Sequence, residues 1–187
     1  MSLHYIFWHW PRPDVDLSVY AGKLVRFQEE LENAVGGTLV GETGAYRSAA
    51  PPWTPGDAAV FSDWYSMDSG ARLDELNDGA VGGEAVRLAH TELAALYGGG
   101  AGSLYDYKRG TAFDPMFLRY THWFPKPAGM TYHDFNRLLE PVTSQSNTTL
   151  MRRRMVLGPS PEFCLASEAL FELPAPLAAS TLQMNRL

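Results

Sequence analysis

The 187 residues include 45% hydrophobic and 19% charged side chains, with a formal net charge of −6. This composition is typical of a globular protein and excludes a largely disordered chain. The acidic balance argues against a nucleic-acid partner, because proteins that bind phosphate backbones usually carry a basic surface. We expect no membrane partner either, since no stretch is apolar for long enough to cross a bilayer.

The first half predicts the element order strand, helix, strand, strand, helix, strand. Residues 3–10 are dense in aromatic side chains and predict a strand that ends at a Pro-x-Pro segment. A helix follows, with Asp16 as its N-cap and an apolar stripe made by Leu17, Tyr20, Leu24, Phe27, Leu31 and Ala34. The next predicted elements are strands over 38–47 and 58–67, a helix in two pieces over 69–97, a glycine-rich turn at 98–102 and a strand over 103–108. This is the order of a ferredoxin-like unit.

The second half begins much as the first does. Residues 6–13 read IFWHWPRP and residues 120–127 read YTHWFPKP, so aligning their prolines sets Trp8 against His122. The sequence then predicts a helix capped by Thr131, with Asp134 three residues later. The repetition indicates two units packed on each other, residues 1–112 and 113–187.

The second unit is predicted to be shorter than the first. Its strands are expected over 116–124, 148–157 and 163–173. After Pro174 the chain has too few residues for a further full helix and strand, so residues 177–187 predict a short helix or a loose tail.

The segment PKPAGMTYHDF leads into the second-half helix and places Phe135 at its first buried position. It resembles the same region of EthD-like proteins of the dimeric α+β barrel superfamily. The resemblance implies an α+β fold in which two tandem ferredoxin-like units form a pseudo-dimeric barrel, the second unit truncated, with a pocket between the two sheets. The superfamily includes cofactor-free monooxygenases, muconolactone isomerases, haem-binding and haem-degrading enzymes, and stress proteins without known activity, so it implies a fold more strongly than a reaction.

One feature of the EthD-like pattern is missing. Those helices usually end with a histidine followed two residues later by a proline, whereas this chain reads Leu138-Leu139-Glu140-Pro141. No catalytic histidine is therefore transferred from that family.

The aromatic strands that open the two halves predict a ligand pocket. Alternation places Trp8 and Trp10 on one face, with Tyr120, His122 and Phe124 as their counterparts. Both faces of each strand are aromatic, so alternation does not decide which one lines the pocket, and we prefer the face of Trp8 and His122. Flat apolar walls suit an aromatic or hydrophobic organic acid. Trp8, Trp10, Tyr120 and Phe124 are therefore predicted to bind the substrate.

Three further residues are candidates for chemistry. His122 is predicted to move a proton, the alternative being a histidine satisfied within an aromatic core. Asp63 and Glu168 occupy matching positions, so they form either an inward carboxylate pair suited to proton transfer or ordinary surface charges. Arg153 is predicted to hold an acid group of the substrate, the alternative being an ion pair with Glu168.

Two other histidines leave alternatives open. His9 has the same two interpretations as His122, and His90 on a helical stripe is either a packed core residue or an axial haem ligand. There is no HExxH motif, no pair of cysteines and no tight His/Asp cluster, so we expect no metal site and no cofactor. The single Cys164 and the lack of a signal-peptide pattern predict a cytoplasmic protein.

The sequence as a whole predicts a small-molecule-binding protein, specifically a cofactor-free oxygenase or isomerase acting on an aromatic or hydrophobic organic acid. A non-catalytic stress-related or ligand-binding module and a haem-binding protein are the alternatives, and whether the chain is an enzyme stays open. A homodimer is a further expectation, because a shortened second half leaves strand edges that a second copy could cover.

Overall fold

A computed structural model describes residues 2–36, 43–55, 59–154 and 159–187. The elements of the first half are β1 Leu3–Pro11, α1 Leu17–Val35, β2 Gly44–Ser48, β3 Val60–Met67, α2 Arg72–Val81, α3 Glu84–Ala94 and β4 Tyr97–Gly110. A short 3-10 turn at Pro115–Phe117 leads to β5 Tyr120–Phe124, α4 Tyr132–Thr143, β6 Thr148–Arg153, β7 Phe163–Ser167, β8 Ser180–Gln183 and β9 Asn185–Arg186. Parts of three predicted strands, at 38–42, 58 and 155–157, lie outside the described residues. Within the described residues, no helix combines the length and apolar character needed to cross a membrane.

Two helices begin at the caps that the sequence predicts. At the start of α1, Asp16 Oδ1 accepts hydrogen bonds from the backbone N–H groups of Ser18 at 2.8 Å and Val19 at 3.1 Å. At the start of α4, Thr131 Oγ1 accepts from the backbone N–H of Asp134 at 3.1 Å. These side chains satisfy N–H groups that have no partner within the helix. Both predicted caps are confirmed.

The nine strands of the described residues form one antiparallel sheet in the order β8-β5-β7-β6-β4-β1-β3-β2-β9. The segment β4-β1-β3-β2 has the strand order of a ferredoxin-like unit, and β8-β5-β7-β6 repeats that order with the strands of the second half. The second half keeps its four strands but has no helix between β7 and β8. The prediction of two ferredoxin-like units, the second of them shortened, is confirmed.

The C-terminal segment joins the two ends of the sheet. β8 pairs with β5, β9 pairs with β2, and only the buried Met184 separates β8 from β9. This segment therefore closes the sheet into a barrel and gives partners to two strand edges that would otherwise be exposed. The prediction of a short helix or loose tail over residues 177–187 was wrong, because backbone pairing with two distant strands decides the structure of this segment.

The glycine-rich residues 98–102 lie inside β4 and do not form the predicted turn. β4 pairs with β1 so that Trp10 faces Gly99 and Phe7 faces Gly102 across the ladder. A Cβ atom at Gly99 would lie 2.6 Å from a ring atom of Trp10. Glycine is needed here because aromatic side chains of β1 rest against the neighbouring strand.

The barrel interior is filled mainly by aromatic side chains. The rings of Trp8 and Trp123 lie 5.3 Å apart, and those of Trp53 and Trp123 lie 5.1 Å apart. Trp64, Tyr46 and Tyr105 belong to the same buried cluster. Tryptophan rings therefore fill the barrel interior, which is where the sequence predicted a ligand pocket.

The helices cover the outer face of the sheet in two separate layers. In the first half, α1, α2 and α3 bury a cluster that includes Leu24, Phe27 and Phe61. In the second half, α4 packs Phe135 against Phe124 and Phe163.

This arrangement corrects the predicted face assignment. Trp8 points into the barrel together with Trp123, whereas Phe124 packs on the outer face against α4. His122 lies between two inward residues, Thr121 and Trp123, and so points outward as well. The alignment of the prolines pairs residues of β1 and β5 that are one position away from their structural equivalents. Because side chains alternate between the two faces of a strand, an error of one residue assigns every side chain to the wrong face.

Candidate functional site

A cavity of about 280 Å³ lies between the outer face of the sheet and helices α1, α2 and α3. Its floor is made by side chains of three adjacent strands: Tyr5, Phe7, His9, Asp63, Tyr65 and Tyr97. Its roof comes from the three helices: Tyr20, Phe27, Leu31, Leu76, Asn77, Ala80, His90, Leu93 and Ala94. Apolar and aromatic walls with a few polar groups are typical of sites for organic ligands.

A buried hydrogen-bonding network runs along the cavity wall. The Tyr20 hydroxyl lies 2.6 Å from His9 Nδ1, and His9 Nε2 lies 3.4 Å from Asp63 Oδ2. The Tyr65 hydroxyl donates to Asp63 Oδ2 at 3.3 Å and accepts from Gln28 Nε2 at 2.8 Å. His9 and Asp63 are only 2% and 3% exposed. An imidazole and a carboxylate are thus held side by side beneath a cavity.

In the His9–Asp63 pair, two polar atoms have no hydrogen-bond partner within the described part of the chain. They are His9 Nε2, which is near Asp63 but not aligned for a hydrogen bond, and Asp63 Oδ1. Leaving a buried polar group unpaired costs about 1–3 kcal/mol. A ligand with a polar group at this end of the cavity would recover part of that cost.

The tyrosine hydroxyls around Asp63 are held in their protonated form. Burial raises the pKa of Tyr5, Tyr20 and Tyr65, and the negative charge of Asp63 raises each of them further. Among the residues that line the cavity, Asp63 is the one carboxylate. The site therefore combines hydroxyl groups, a histidine and an acid in mainly apolar surroundings.

Of the residues predicted as catalytic, Asp63 lies in this site and Glu168 does not. Glu168 is exposed and accepts a hydrogen bond from the Asn147 side chain at 2.7 Å. Asp63 is buried on the outer face of the sheet, beneath the helices, so neither alternative describes it, and the two residues do not form a carboxylate pair.

His122 does not line this cavity. It lies on the outer face of the second half of the sheet, near the segment that follows β7. It is fully buried, and its Nδ1 lies 2.9 Å from Thr181 Oγ1. Its ring centroid is 6.3 Å from that of Phe171. Burial lowers the pKa of His122 to about 4, so the ring is neutral at pH 7. His122 is thus buried beside an aromatic ring with a partner at Nδ1, whereas its Nε2 has no hydrogen-bond partner in the described residues.

The residues predicted to bind substrate do not gather around His9 and Asp63. Trp8 lies in the barrel interior, and Phe124 lies in the core beneath α4. Trp10 and Tyr120 are half-buried. Arg153 is half-buried and donates a hydrogen bond through Nη1 to the carbonyl of Ser160.

Sequence reasoning did not identify Tyr20, Gln28 and Tyr65 as site residues. Tyr20 was assigned to the apolar stripe of the helix, and no role was predicted for Gln28 or Tyr65. The sequence does contain a signal for this site. His9 on β1, Asp63 and Tyr65 on β3, and Tyr20 on α1 all lie between the outer face of the sheet and the helix that covers it.

The comparisons with known proteins give structural matches alone. No family model matches the chain, and no curated protein does. A proposed monooxygenase from Fusobacterium nucleatum superimposes with a TM-score of 0.60 at 11% identity, covering 100% of this chain and 92% of that chain. A proposed monooxygenase from Lactobacillus acidophilus gives a TM-score of 0.55 at 8% identity, covering 99% of this chain and 93% of the other. An anthrone oxidase-like protein gives 0.50 at 11% identity, with coverages of 99% and 90%.

The chain shares the α+β fold of these structures, with two ferredoxin-like halves in one barrel-like sheet. At these identities the likeness shows the fold alone and assigns no reaction. No group of three or more potential metal-ligating side chains converges in the part of the chain that the structure describes.

Proposed function

We propose that the protein binds a small aromatic or hydrophobic organic molecule in the cavity above His9 and Asp63 and acts on it as a cofactor-free oxygenase or isomerase. The buried His9–Asp63 pair carries this proposal, because both residues line an apolar, aromatic cavity and each has one buried polar atom without a hydrogen-bond partner in the described residues. Acid and base groups placed in such surroundings are common at active sites. The structural neighbours described as proposed monooxygenases and as anthrone oxidase-like support oxygen chemistry as the first reaction to test.

In this proposal His9 acts as the general base. The proposal places a ring proton on Nδ1, which then donates a hydrogen bond to the Tyr20 oxygen, so that Nε2 accepts a proton from an acidic O–H or C–H group of the ligand. The carboxylate of Asp63, 3.4 Å from Nε2, then stabilises the positive imidazolium. An isomerase would return this proton to a different carbon of the same ligand.

For an oxygenase the electron-rich ligand anion is oxidised by molecular oxygen. One balanced outcome converts a CH₂ group to a carbonyl: one atom of O₂ becomes the carbonyl oxygen, and the other leaves as water with the two hydrogens. The role of the protein is to hold the ligand, remove the first proton and keep bulk water away from the anion.

The proton-transfer role predicted for His122 passes to His9 in this proposal, and Asp63 stabilises the imidazolium in place of its predicted role in a carboxylate pair. The substrate-binding roles of Trp8, Trp10, Tyr120, Phe124 and Arg153 stay predictions. The cavity geometry favours the floor residues Tyr5, Phe7 and Tyr97 instead. An EthD-like affiliation, a cytoplasmic location and a homodimer also stay predictions.

Haem fits this cavity poorly. His90 lines the cavity on α3, with its ring 5.3 Å from that of Phe27. However, the volume of about 280 Å³ lies at the lower end of the range for small organic ligands and is too small to enclose a tetrapyrrole.

The substitution Asp63→Asn tests the proposal, because it removes the charge and keeps the shape of the side chain. With anthrone as the probe, we expect oxygen uptake to fall by about a hundredfold or more, the usual contribution of general acid–base catalysis. Oxygen uptake is followed with an electrode and product formation by absorbance.

Glu168→Gln is the matched control, since Glu168 is the exposed residue at the corresponding position of the second half. It should leave oxygen uptake unchanged. Full activity in the Asp63→Asn protein would refute the assigned chemistry. A wild-type protein that binds the probe but never turns it over would favour the non-catalytic ligand-binding module.

A further inference from the structure

Two glycines of β4 shape the floor of the cavity. Gly100 and Gly102 lie on the cavity side of the sheet, alternating with Ala101 and Ser103 on the interior side. A Cβ atom at Gly102 would lie 2.8 Å from the Tyr5 hydroxyl and 2.9 Å from Tyr5 Cε2. A Cβ atom at Gly100 would lie 2.7 Å from Phe7 Cζ. The two aromatic rings of β1 thus lean diagonally across β4 and rest directly on its backbone.

The rings on this floor have nearly parallel planes. The interplanar angle is 21° between Tyr5 and Phe7, 18° between Tyr5 and Tyr65, and 14° between Phe7 and Tyr97. The ring centroids of these three pairs lie 6.1 to 6.4 Å apart. Tyr5 and Phe7 stay half-buried although three helices lie above them, since both line the cavity. The floor is therefore a continuous aromatic surface that a ligand can contact.

The opposite wall is mainly aliphatic. Leu31, Leu76 and Leu93 descend from the three helices, together with Ala80 and Ala94. Tyr20, Phe27 and His90 add rings to this wall. A space with an aromatic floor and a largely apolar roof favours a flat molecule, because one planar ligand can stack on several floor rings at once. The unpartnered His9 and Asp63 atoms mark where such a ligand would place its polar group.

We propose that Gly100 and Gly102 determine specificity by keeping Tyr5 and Phe7 flat on β4, so that the cavity selects planar fused-ring aromatics with a hydroxyl group at the His9–Asp63 end. This rests on the proposed function for the location of the site. Any larger residue at position 102 would lift the Tyr5 ring from the strand into the cavity.

The first experiment is a fluorescence or calorimetric titration of the wild-type protein with four probes: phenol, 2-naphthol, 2-hydroxyanthracene and decahydro-2-naphthol. Affinity should rise with the number of fused rings. The saturated decahydro compound should bind about tenfold more weakly than 2-naphthol, because it has the same carbon skeleton but cannot stack.

The second experiment uses Gly102→Ala, with Gly99→Ala as the matched control. Both glycines belong to β4 and contact an aromatic ring of β1, but Gly99 faces Trp10 away from the cavity. Gly102→Ala should lower the affinity for 2-hydroxyanthracene by about tenfold and change the affinity for phenol by no more than about twofold. Gly99→Ala should keep the wild-type order of affinities among the four probes. If Gly102→Ala does not fold, Phe7→Leu removes a floor ring without a clash and should abolish the preference for 2-naphthol over its saturated analogue.

The outcomes separate the two proposals. A folded Gly102→Ala protein with the wild-type affinity series, or equal wild-type affinity for 2-naphthol and decahydro-2-naphthol, overturns the specificity inference alone. A wild-type protein that binds none of the four probes overturns the proposed function itself.

Discussion

His4 and His122 are two buried histidines that the proposed chemistry does not use. Each has a hydroxyl partner at Nδ1, Ser66 Oγ at 2.9 Å for His4 and Thr181 Oγ1 at 2.9 Å for His122, and His4 Nε2 also lies 3.3 Å from Ser2 Oγ. Burial lowers the pKa of both to about 4 from an ordinary value of 6.5. A hydroxyl cannot compensate an imidazolium as a carboxylate can, so both rings are stable only when neutral.

These two histidines make the fold sensitive to acid. The unfolded chain takes up protons on them near pH 6.5, whereas the folded chain does so only near pH 4. Their contribution to the free energy of unfolding is therefore complete above pH 6.5 and is lost as the pH falls towards 4. We expect His122→Gln to reduce this pH dependence, measured by urea unfolding at about pH 7.5 and about pH 5.

His133→Gln is the control for this measurement, because His133 is exposed on α4. It should leave the difference in unfolding free energy between the two pH values unchanged. An His122→Gln protein with the full wild-type pH dependence would show that His122 is not the residue responsible.

Single residues were also where sequence reasoning was least decisive. His9 and Asp63 were both named, but His122 was preferred, because both faces of β1 and β5 are aromatic and give no hydrophobic contrast. Only the pairing of β1 with β3, which places His9 opposite Phe61 and Phe7 opposite Asp63, brings the histidine and the acid together. Such pairing between residues more than fifty positions apart is not encoded in local periodicity.

Elements with local signals were predictable, and those fixed by distant pairing were not. The caps at Asp16 and Thr131 and the helices that follow them depend on nearby residues alone. The glycines of β4 indicate a turn by composition, yet they form a strand because β1 supplies the side chains that cover them. The closing strands β8 and β9 have few residues, and their partners lie far away in the chain.

The closing segment gives a prediction at the scale of an element. Leu182 is 7% exposed in the barrel interior cluster, whereas its neighbour Gln183 is exposed. We expect Leu182→Ala to lower the free energy of unfolding by about 2–4 kcal/mol, the usual cost of truncating a buried leucine. Gln183→Ala should change it by about 0.5 kcal/mol or less. Equal effects in denaturant titrations would mean that β8 contributes little to barrel stability.

The two halves of the molecule have the same strand order, but different helices and segments pack on the outer face of the sheet in each half. Three helices enclose a cavity over the first half, whereas α4 and the segment after β7 pack tightly on the second, around Phe124, Phe135 and Phe163. The barrel is closed within one chain, so a homodimer would not be needed to complete the sheet. The division at residues 112 and 113 stays a prediction, because all nine described strands share one sheet.

This asymmetry predicts the binding stoichiometry. We expect isothermal titration with 2-naphthol to give about one site per chain, since the His9–Asp63 pair lies in the first-half cavity, whereas a space of about 250 Å³ beside α4 is lined by the charged side chains of Lys108, Arg109 and Arg152. Two equivalent sites per chain would contradict the cavity assignment. The Asp63→Asn protein, titrated alongside, should keep the same stoichiometry, because the substitution changes the charge and leaves the cavity shape intact.

The tryptophans of the barrel have an optical consequence. Four of the five, Trp8, Trp53, Trp64 and Trp123, form one cluster in which neighbouring ring centroids lie 5.1 to 6.2 Å apart. Indole transitions at such separations couple and give intense near-ultraviolet circular dichroism. None of the residues that line the cavity is a tryptophan. The protein therefore contains an intrinsic chromophore that reports whether the barrel is closed, separately from whether the cavity is filled.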